Sequence, residues 1–509
     1  MVTATSPGYV ERAFIVAPIT DGARRGLVDL ATGKRRHPTR TDAMTAEPSR
    51  IVVTGASGNV GTGVLRALAS QLPDAEVVGV CRRPPTDGEP YERVRWHTVD
   101  LSAPSAVADL EPALRGADVV IHLALAVHPV RDEHYLYRAN VLGTQALLKA
   151  MTAAGVRQLV YASSLGIYAP GSGPPVTEDW PTTGQTTSVY SRHKVMVEQV
   201  LDEFELDHPE VTVSRFRPTV VVQREAAWLI KSLYLGPLVP RSVLELLRRR
   251  ELPVLPVPAP LALQFVHADD VGDAVVRMVT QQVRGSFNIA ADVLDTAALA
   301  DLVGARPVSV PPQAVRTLIA ALSAVRVVAL TPGWYDVAFK TPLMDTSKAR
   351  RTLGWEPARS SAESARELIE GLADGAVGTS AAMGWRLRPR RDVRAAVDRA
   401  HDVTLVSWGA LALLRAAGMR RARVVDAVVV ASNLATGTPM ALDRILERRA
   451  DPVALLAPVA VLAALGATLC GGWPAVAVTG ALQVLRMSER NQRKAKLVSN
   501  AEVPAGSRG

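Results

Sequence analysis

Cysteine is scarce: Cys81 and Cys470 are the only two in 509 residues. They lie far apart, with no CxxC spacing and no histidine cluster beside them, which excludes a disulfide framework and a zinc site. No metal site is expected, and a reducing, cytoplasmic compartment fits. Aromatic residues make up only 5% of the chain, and they form no aromatic-interleaved basic module of the kind that stacks bases. The net charge of +9 therefore lacks the stacking platforms that nucleic-acid binding needs, and no nucleic-acid partner is expected. Charge itself is missing from one long stretch, Val453–Leu485. That run concentrates the apolar excess behind a mean hydropathy of +0.13.

Residues 1–49 carry Arg24, Arg25, Lys34, Arg35, Arg36 and Arg40 without periodicity. The apolar piece Ala13–Ile19 is short and lacks a cleavage site, so a secretory signal is not expected. Met44 stands just before the first apolar strand as a natural start. The segment before it is expected to be a disordered extension or the product of an upstream start.

From Arg50 onward short apolar runs alternate with helical patterns. "IVVT" (Ile51–Thr54), "EVVGVC" (Glu76–Cys81), "VRWHTVD" (Val94–Asp100), "ADVVIHLA" (Ala117–Ala124) and "RQLVYASS" (Arg157–Ser164) read as strands. Between them lie helices over about 59–72, 105–116 and, as one long element, 132–155. Such alternation implies a parallel sheet covered by helices on both faces.

The first strand–helix turn reads "TGASGNVG", with Gly55, Gly58 and Gly61. Glycines there permit a tight turn and close approach to a pyrophosphate, while the helix N-terminus supplies partial positive charge. The context, directly after a strand and opening a helix, is the one in which the pattern carries meaning.

The spacing Gly-x-x-Gly-x-x-Gly resembles that of the extended short-chain dehydrogenase/reductase superfamily, the NAD-dependent epimerase/dehydratase family. Further stretches carry the same resemblance over roughly residues 50–370: "VDLS", "VIHLALA", "ANVLGT", "YASSLGIY", "SVYSRHK", "RFRPTVVV", "QFVHADDVGDAV" and "DTSKARRTLGWEP". It implies an α/β fold, a doubly wound parallel Rossmann-type sheet with a small C-terminal substrate-binding lobe; the residues beyond it read, on their own composition, as an apolar α-helical extension. It further implies a cofactor site drawn from Gly55, Ser57, Gly58, Asn59, Val60, Gly61, Arg82, Asp100, Leu101, Leu123, Ala124, Asn140, Ser163, Tyr190, Lys194 and Pro218. Asp100 would sit beside the adenine and Pro218 near the nicotinamide. The expected domains are 1–49, 50–375 and 376–509.

"SVYSRHK" places Tyr190 and Lys194 four residues apart on one helix face. The resemblance implies that Tyr190 is the acid–base, Lys194 its electrostatic tuner and Ser164 the hydroxyl anchoring the substrate oxygen. A phenol has a pKa near 10, and a nearby ammonium lowers it. Ser163 is the neighbour most easily confused with Ser164; the register three residues before Ile167 favours Ser164.

An acid at the end of the second strand would grip a ribose 2′-hydroxyl and favour NAD. Cys81 stands there instead, followed by Arg82 and Arg83, whose guanidinium groups suit a 2′-phosphate. Solvated surface arginines are the plainer alternative. Either cofactor is admissible, with a lean to NADP.

Dehydratases of this family usually carry Asp-Glu directly after the catalytic hydroxyl residue. Leu165 and Gly166 occupy those positions, which disfavours dehydration. A 4-epimerase acting on a nucleotide sugar and a simple oxidoreductase acting on a steroid, another lipid or a carbonyl compound both remain open. The substrate region is expected from the loop after Tyr168 and from about 222–263 and 288–345, where Arg224, Arg241 and Arg248–Arg250 are candidates for a diphosphate. A non-catalytic redox sensor is a third reading, though such proteins typically lose the tyrosine or lysine kept here. The resemblance also leaves room for a homodimer.

Beyond about residue 375 the resemblance ends. The uncharged run 453–485 is broken by "GGWP" (Gly471–Pro474) and flanked by Arg444, Arg448, Arg449 and by Arg486, Arg490, Arg493, Lys494 and Lys496. A bilayer span needs about 20 apolar residues, and basic flanks stay on the cytoplasmic side. A hairpin contacting a membrane from its cytoplasmic face is therefore expected, with a packed helical pair or a dimerisation element as the alternative.

Overall fold

Ile51, Val52 and Val53 have no solvent exposure, yet they serve two different cores. Ile51 and Val53 belong to one apolar cluster and Val52 to another, because successive side chains of a strand point to opposite faces. A strand buried on both sides belongs inside a covered parallel sheet. The computed structural model describes residues 47–85, 88–127, 132–235, 241–258, 260–324 and 330–384. Residues 1–46, 385–509 and, with the latter, the 453–485 hairpin lie outside the described residues.

The chain runs through β1 (Arg50–Thr54), α1 (Asn59–Gln71), β2 (Glu76–Cys81), β3 (Val94–Thr98), α2 (Ala106–Leu114), β4 (Val119–His122), α3 (Glu133–Tyr137) and α4 (Gly143–Ala154). It continues with β5 (Gln158–Ala162), α5 (Val189–Asp207), β6 (Thr212–Pro218), β7 (Val220–Val222), α6 (Ala227–Ile230), α7 (Arg241–Arg249), β8 (Val254–Pro258) and β9 (Leu263–His267). Next come α8 (Ala268–Gln281), β10 (Gly285–Ile289), β11 (Val293–Leu294), α9 (Thr296–Leu302), β12 (Arg306–Val310), α10 (Pro312–Ala324), α11 (Pro332–Lys340), α12 (Ser347–Leu353) and α13 (Ser361–Asp374).

Seven strands form one sheet in the order β10-β6-β5-β4-β1-β2-β3, and every pair in it is parallel. The order reverses between β1 and β4, the switch point at which open α/β sheets place their ligand crevice. Small sheets β11-β9-β7 and β12-β8 build the lobe. Trp355, fully buried, ties the late signature to the core by donating to the carbonyl of Asp270 at 2.9 Å.

One difference from the sequence expectations has a physical cause. The long helix over 132–155 is broken by a π-helical turn, Arg138–Leu142, which places Asn140 to clasp the chain after β4. Beyond the expected boundary at 375 the chain stays on the domain, with Ser380 bonded to Ser57 of the glycine turn. Among the described residues, no helix is long and apolar enough to cross a membrane.

Candidate active site

Gly55 has φ +68°, and a Cβ there would lie 2.7 Å from the Ala124 nitrogen. At Gly61 a Cβ would lie 2.4 Å from the Ala56 carbonyl oxygen. Gly58 differs: its Cβ would meet only the Gly55 oxygen, at 3.3 Å, and it caps α1 in extended conformation. The first and third glycines are thus required by the protein's own packing, while the second leaves open room beside the helix N-terminus. Gly55, Ser57, Gly58, Cys81, Arg82, Arg83, Asp100, Leu101, Leu123, Ala124 and Tyr135 line one cleft. Backbone room at Gly58, a helix N-terminus and two guanidinium groups are what a dinucleotide's phosphates require, so these residues fit the cofactor.

A directed hydrogen-bond chain supports this cleft from below. The Ala124 amide donates to Thr54 Oγ1 at 3.3 Å, and Thr54 Oγ1 lies 2.6 Å from His122 Nδ1. His122 Nε2 lies 2.9 Å from Thr144 Oγ1, which donates to the Asn140 carbonyl at 2.7 Å. Since each hydroxyl has one proton, this order assigns His122 the Nε2–H tautomer. Burial, with Lys194 nearby, brings the imidazole down to about 3 and keeps it neutral.

Several expected cofactor residues turn their side chains elsewhere. Asn140 clamps Ala126 through both backbone atoms, accepting at 2.7 Å and donating at 2.8 Å. Asn59 donates to the Val221 carbonyl at 2.8 Å and accepts from Gln223 at 2.7 Å, fastening α1 to β7. Asp100 Oδ1 accepts from the amide and hydroxyl of Ser102, at 2.9 and 2.7 Å. Val60 is half-buried at the start of α1, and Pro218 is buried at the end of β6; neither is part of the cleft lining described above.

The two adjacent serines separate cleanly. Ser163 Oγ donates to the carboxylate of Glu198, whereas Ser164 Oγ accepts from the Gly166 amide at 3.0 Å and shares the space over Gly166 with the Tyr190 ring, a Cβ there lying 3.4 and 3.1 Å from the two. Ser188 caps α5 by accepting from the Ser191 amide at 3.4 Å, which starts the helix one residue before Tyr190. Ser164, Tyr190 and Lys194 are therefore brought together beyond the end of β5.

The electrostatics correct one expectation. Tyr190 was expected to have its pKa lowered by Lys194; instead burial pushes the phenol up to about 12, with Ser164 pulling the other way. The cause is a cover. Trp334 of α11 stacks on the Tyr190 ring, with centroids 4.6 Å apart and planes at 25°, and Tyr234 meets Trp334 edge-on at 5.7 Å. Lys194 Nζ meanwhile donates to Tyr161 Oη at 3.2 Å and to the Ala162 carbonyl at 2.5 Å. Burial brings this ammonium down to about 7, and Glu198 opposes the shift.

Glu198, Arg217 and Trp334 are site residues absent from the sequence reading. Glu198 follows Lys194 by one helical turn, a spacing that could have exposed it. It accepts from Arg217 Nη2 at 2.7 Å and Nε at 3.0 Å, and Arg217 in turn donates to Tyr168 at 3.1 Å. Trp334 carries no local signal. Among the expected substrate arginines, Arg224 pairs with Asp374 at 2.5 Å, Arg248 and Arg249 with Glu245, and Arg250 with Asp301 at 3.1 Å. They form helix-end ion pairs away from Tyr190.

A model of the family described as NAD dependent epimerase/dehydratase matches residues 51–290. The chain is 40% identical over 103 residues to a UDP-glucose 4-epimerase of Yersinia enterocolitica, covering 20% of this chain and 30% of that protein. An uncharacterized protein of Sinorhizobium fredii is 26% identical over 322 residues, covering 61% and 76%. The solved Thermus thermophilus UDP-glucose 4-epimerase with NAD matches 64% of this chain and 100% of its own at 20% identity, with a TM-score of 0.48. The chain spans only 24% to 50% of the length of the first UDP-glucose 4-epimerases it matches. The glycine cleft at the switch point, the Ser164–Tyr190 pair beyond β5 and the family match all fall within the same stretch, and over residues 51–290 this chain matches the model of the NAD-dependent epimerase/dehydratase family.

Proposed function

We propose that the protein is an NAD(P)-dependent enzyme that interconverts a secondary alcohol and its ketone on a nucleotide sugar, with 4-epimerisation as the net reaction. The observation that carries this reading is the placement of Ser164 Oγ and the Tyr190 ring side by side at Gly166, where a Cβ would lie 3.4 and 3.1 Å from them, with the buried Lys194 ammonium one turn further along α5. When bound, the nicotinamide would supply a reversible hydride acceptor for the carbinol carbon, so that oxidation and re-reduction of the substrate would cancel and no net oxidation would result. The chain's own residues handle the proton. Ser164 donates to the substrate oxygen, where charge develops. Tyr190 takes the hydroxyl proton as the ketone forms and gives it back as the alcohol re-forms. Burial favours the neutral phenol, which suits Tyr190 to the donor half of the cycle. Lys194 would also hold the nicotinamide ribose.

Arg82 and Arg83, lining the cleft where no acid ends β2, support NADP over NAD. One observation favours a second reading: the aromatic cover of Trp334 and Tyr234 suits an apolar carbonyl or lipid substrate. The test is a screen of UDP-sugars and apolar alcohols with each dinucleotide, followed by mass spectrometry and absorbance. Epimer formation without accumulating reduced dinucleotide supports the first reading; accumulation with an apolar alcohol supports the second. Dinucleotide binding with no turnover of any kind would point to a sensor.

On sequence grounds alone we further propose a cytoplasmic enzyme held at a bilayer by 453–485, with a homodimer admitted. Sedimentation with membranes through a high-salt wash tests the attachment; a full-length chain that stays in solution without detergent defeats it.

A further inference from the structure

The chain does not leave the domain where α13 ends. Gly375 closes that helix at φ 66°, and the next residues form a tight loop. The Gly378 amide donates to the Met383 carbonyl at 2.9 Å, and the Met383 amide donates to Ser380 Oγ at 3.2 Å. Ser380 and Met383 are both fully buried. Ser380 reaches the glycine turn: its Oγ donates to the carbonyl of Ser57 at 2.6 Å. Ala381 and Ala382 then line the same cleft as Gly55, Ser57 and Gly58. The exit is seated as well, since Gly384, at φ +96°, lies so close to the Trp228 ring that a Cβ would stand 2.8 Å from it.

Nothing in a doubly wound sheet requires this segment. The family match stops at residue 290, and the last helix of the lobe stops at Asp374. A buried hydroxyl spent on one loop carbonyl, together with two methyl side chains in the cleft wall, fits a role at the cofactor. We propose that residues 376–384 are a latch on the dinucleotide site. Ser380 is a positioning residue that fixes the Ser57 peptide, so that the neighbouring N–H groups keep their aim at a pyrophosphate. Ala381 and Ala382 close the outer wall, and their small size leaves room for the phosphates. Release of the dinucleotide then requires the latch to open. This rests on the reading of the cleft as an NAD(P) site.

The experiment uses the full chain. Hydrogen exchange of peptides covering 376–384 is followed without ligand and with saturating NAD or NADP, and the release of NADH and NADPH is timed by fluorescence chase. Exchange in 376–384 is expected to slow on binding, and Ser380→Ala is expected to release the dinucleotide about 3–10-fold faster, the loss of one neutral hydrogen bond. If the wild type binds one of the dinucleotides with unchanged exchange at 376–384, the latch is wrong while the cofactor reading stands. If exchange there accelerates on binding, the segment competes with the dinucleotide and the proposal is also overturned. If neither dinucleotide binds, both fall. Should Ser380→Ala fail to fold, the exchange of the wild type decides alone.

Discussion

At Gly55 a Cβ would collide with the Ala124 backbone at 2.7 Å, whereas at Tyr190 the covering ring, Trp334, comes from a helix that begins at Pro332. The cofactor end of the site is built mainly on the loops that end β1, β2 and β4, and the substrate end on aromatic side chains brought in from separate helices. Trp334 reaches Tyr190 only because α11 docks on α5. Gly333 lets the helix approach so closely that a Cβ would lie 2.3 Å from the Thr187 carbonyl, and buried Asp336 accepts from Thr187 at 2.8 Å and from Arg316 at 3.0 Å. The difference suggests that phosphate binding tolerates few local changes, while substrate choice can drift with the docking of α11.

The largest effect should come from the glycines, and it should split them. Gly55→Val places a β-branched residue at positive φ, costing about 1–2 kcal/mol before the clash with Ala124, so both melting temperature and NAD(P) binding should collapse. Gly58→Val meets only one atom at 3.3 Å, so the sheet should stay folded while dinucleotide binding disappears from calorimetry. Equal loss of folding in the two variants would erase the distinction between a glycine kept for the fold and one kept for the ligand.

Tyr190→Phe comes next. It removes only the hydroxyl, so cofactor binding should persist and turnover with a competent substrate should fall about 10²–10⁴-fold. The serines sharpen this. Ser164→Ala should lower turnover with little change in melting, whereas Ser163→Ala strips a partner from buried Glu198 and should lower melting by an amount equivalent to about 1–3 kcal/mol. The opposite assignment of the two effects would reverse their roles.

The parts legible in the sequence are those fixed by local rules. β2 falls on Glu76–Cys81 and α1 begins at Asn59, because alternating apolar burial and a glycine turn define both. The Ser164 register and the Tyr190–Lys194 face are set by neighbours within one or two turns. The break at Arg138–Leu142 was not legible, since a π-helical turn leaves the apolar spacing nearly unchanged and is stabilised by Asn140 reaching across to Ala126. Neither was the return of 376–384, whose anchors, such as Ser380 on Ser57 and Gly384 against Trp228, follow no periodic pattern.

A smaller effect is expected from pH, and it reports on the cofactor end. His122 has its imidazole brought down to about 3 from an ordinary 6.5. Between those values the unfolded chain binds a proton that the folded chain does not. The contribution is therefore complete above pH 6.5 and is lost as pH falls, at about 1.4 kcal/mol per unit. Denaturant midpoints at pH 7 and 5 should differ accordingly, and His122→Gln should flatten that part of the profile. A slope unchanged by the substitution would remove His122 as its cause.

The smallest effect tests the substrate end. Tyr190 is pushed up to about 12 by burial, and the stacked Trp334 is the ring covering it. Water admitted over the phenol would stabilise the phenolate, while Lys194 is held on Tyr161 and the Ala162 carbonyl. Trp334→Ala should therefore bring Tyr190 from about 12 down toward the ordinary value of 10, read as the phenolate absorbance of that variant minus that of the same variant carrying Tyr190→Phe. Asp336→Asn, which leaves the indole in place but weakens the docking of α11 through Thr187 and Arg316, should give part of the same shift. If Trp334→Ala leaves the titration where it was, the high value belongs to the floor of the site rather than to its cover. The substrate end would then be as firmly set by its immediate neighbours as the glycine turn is.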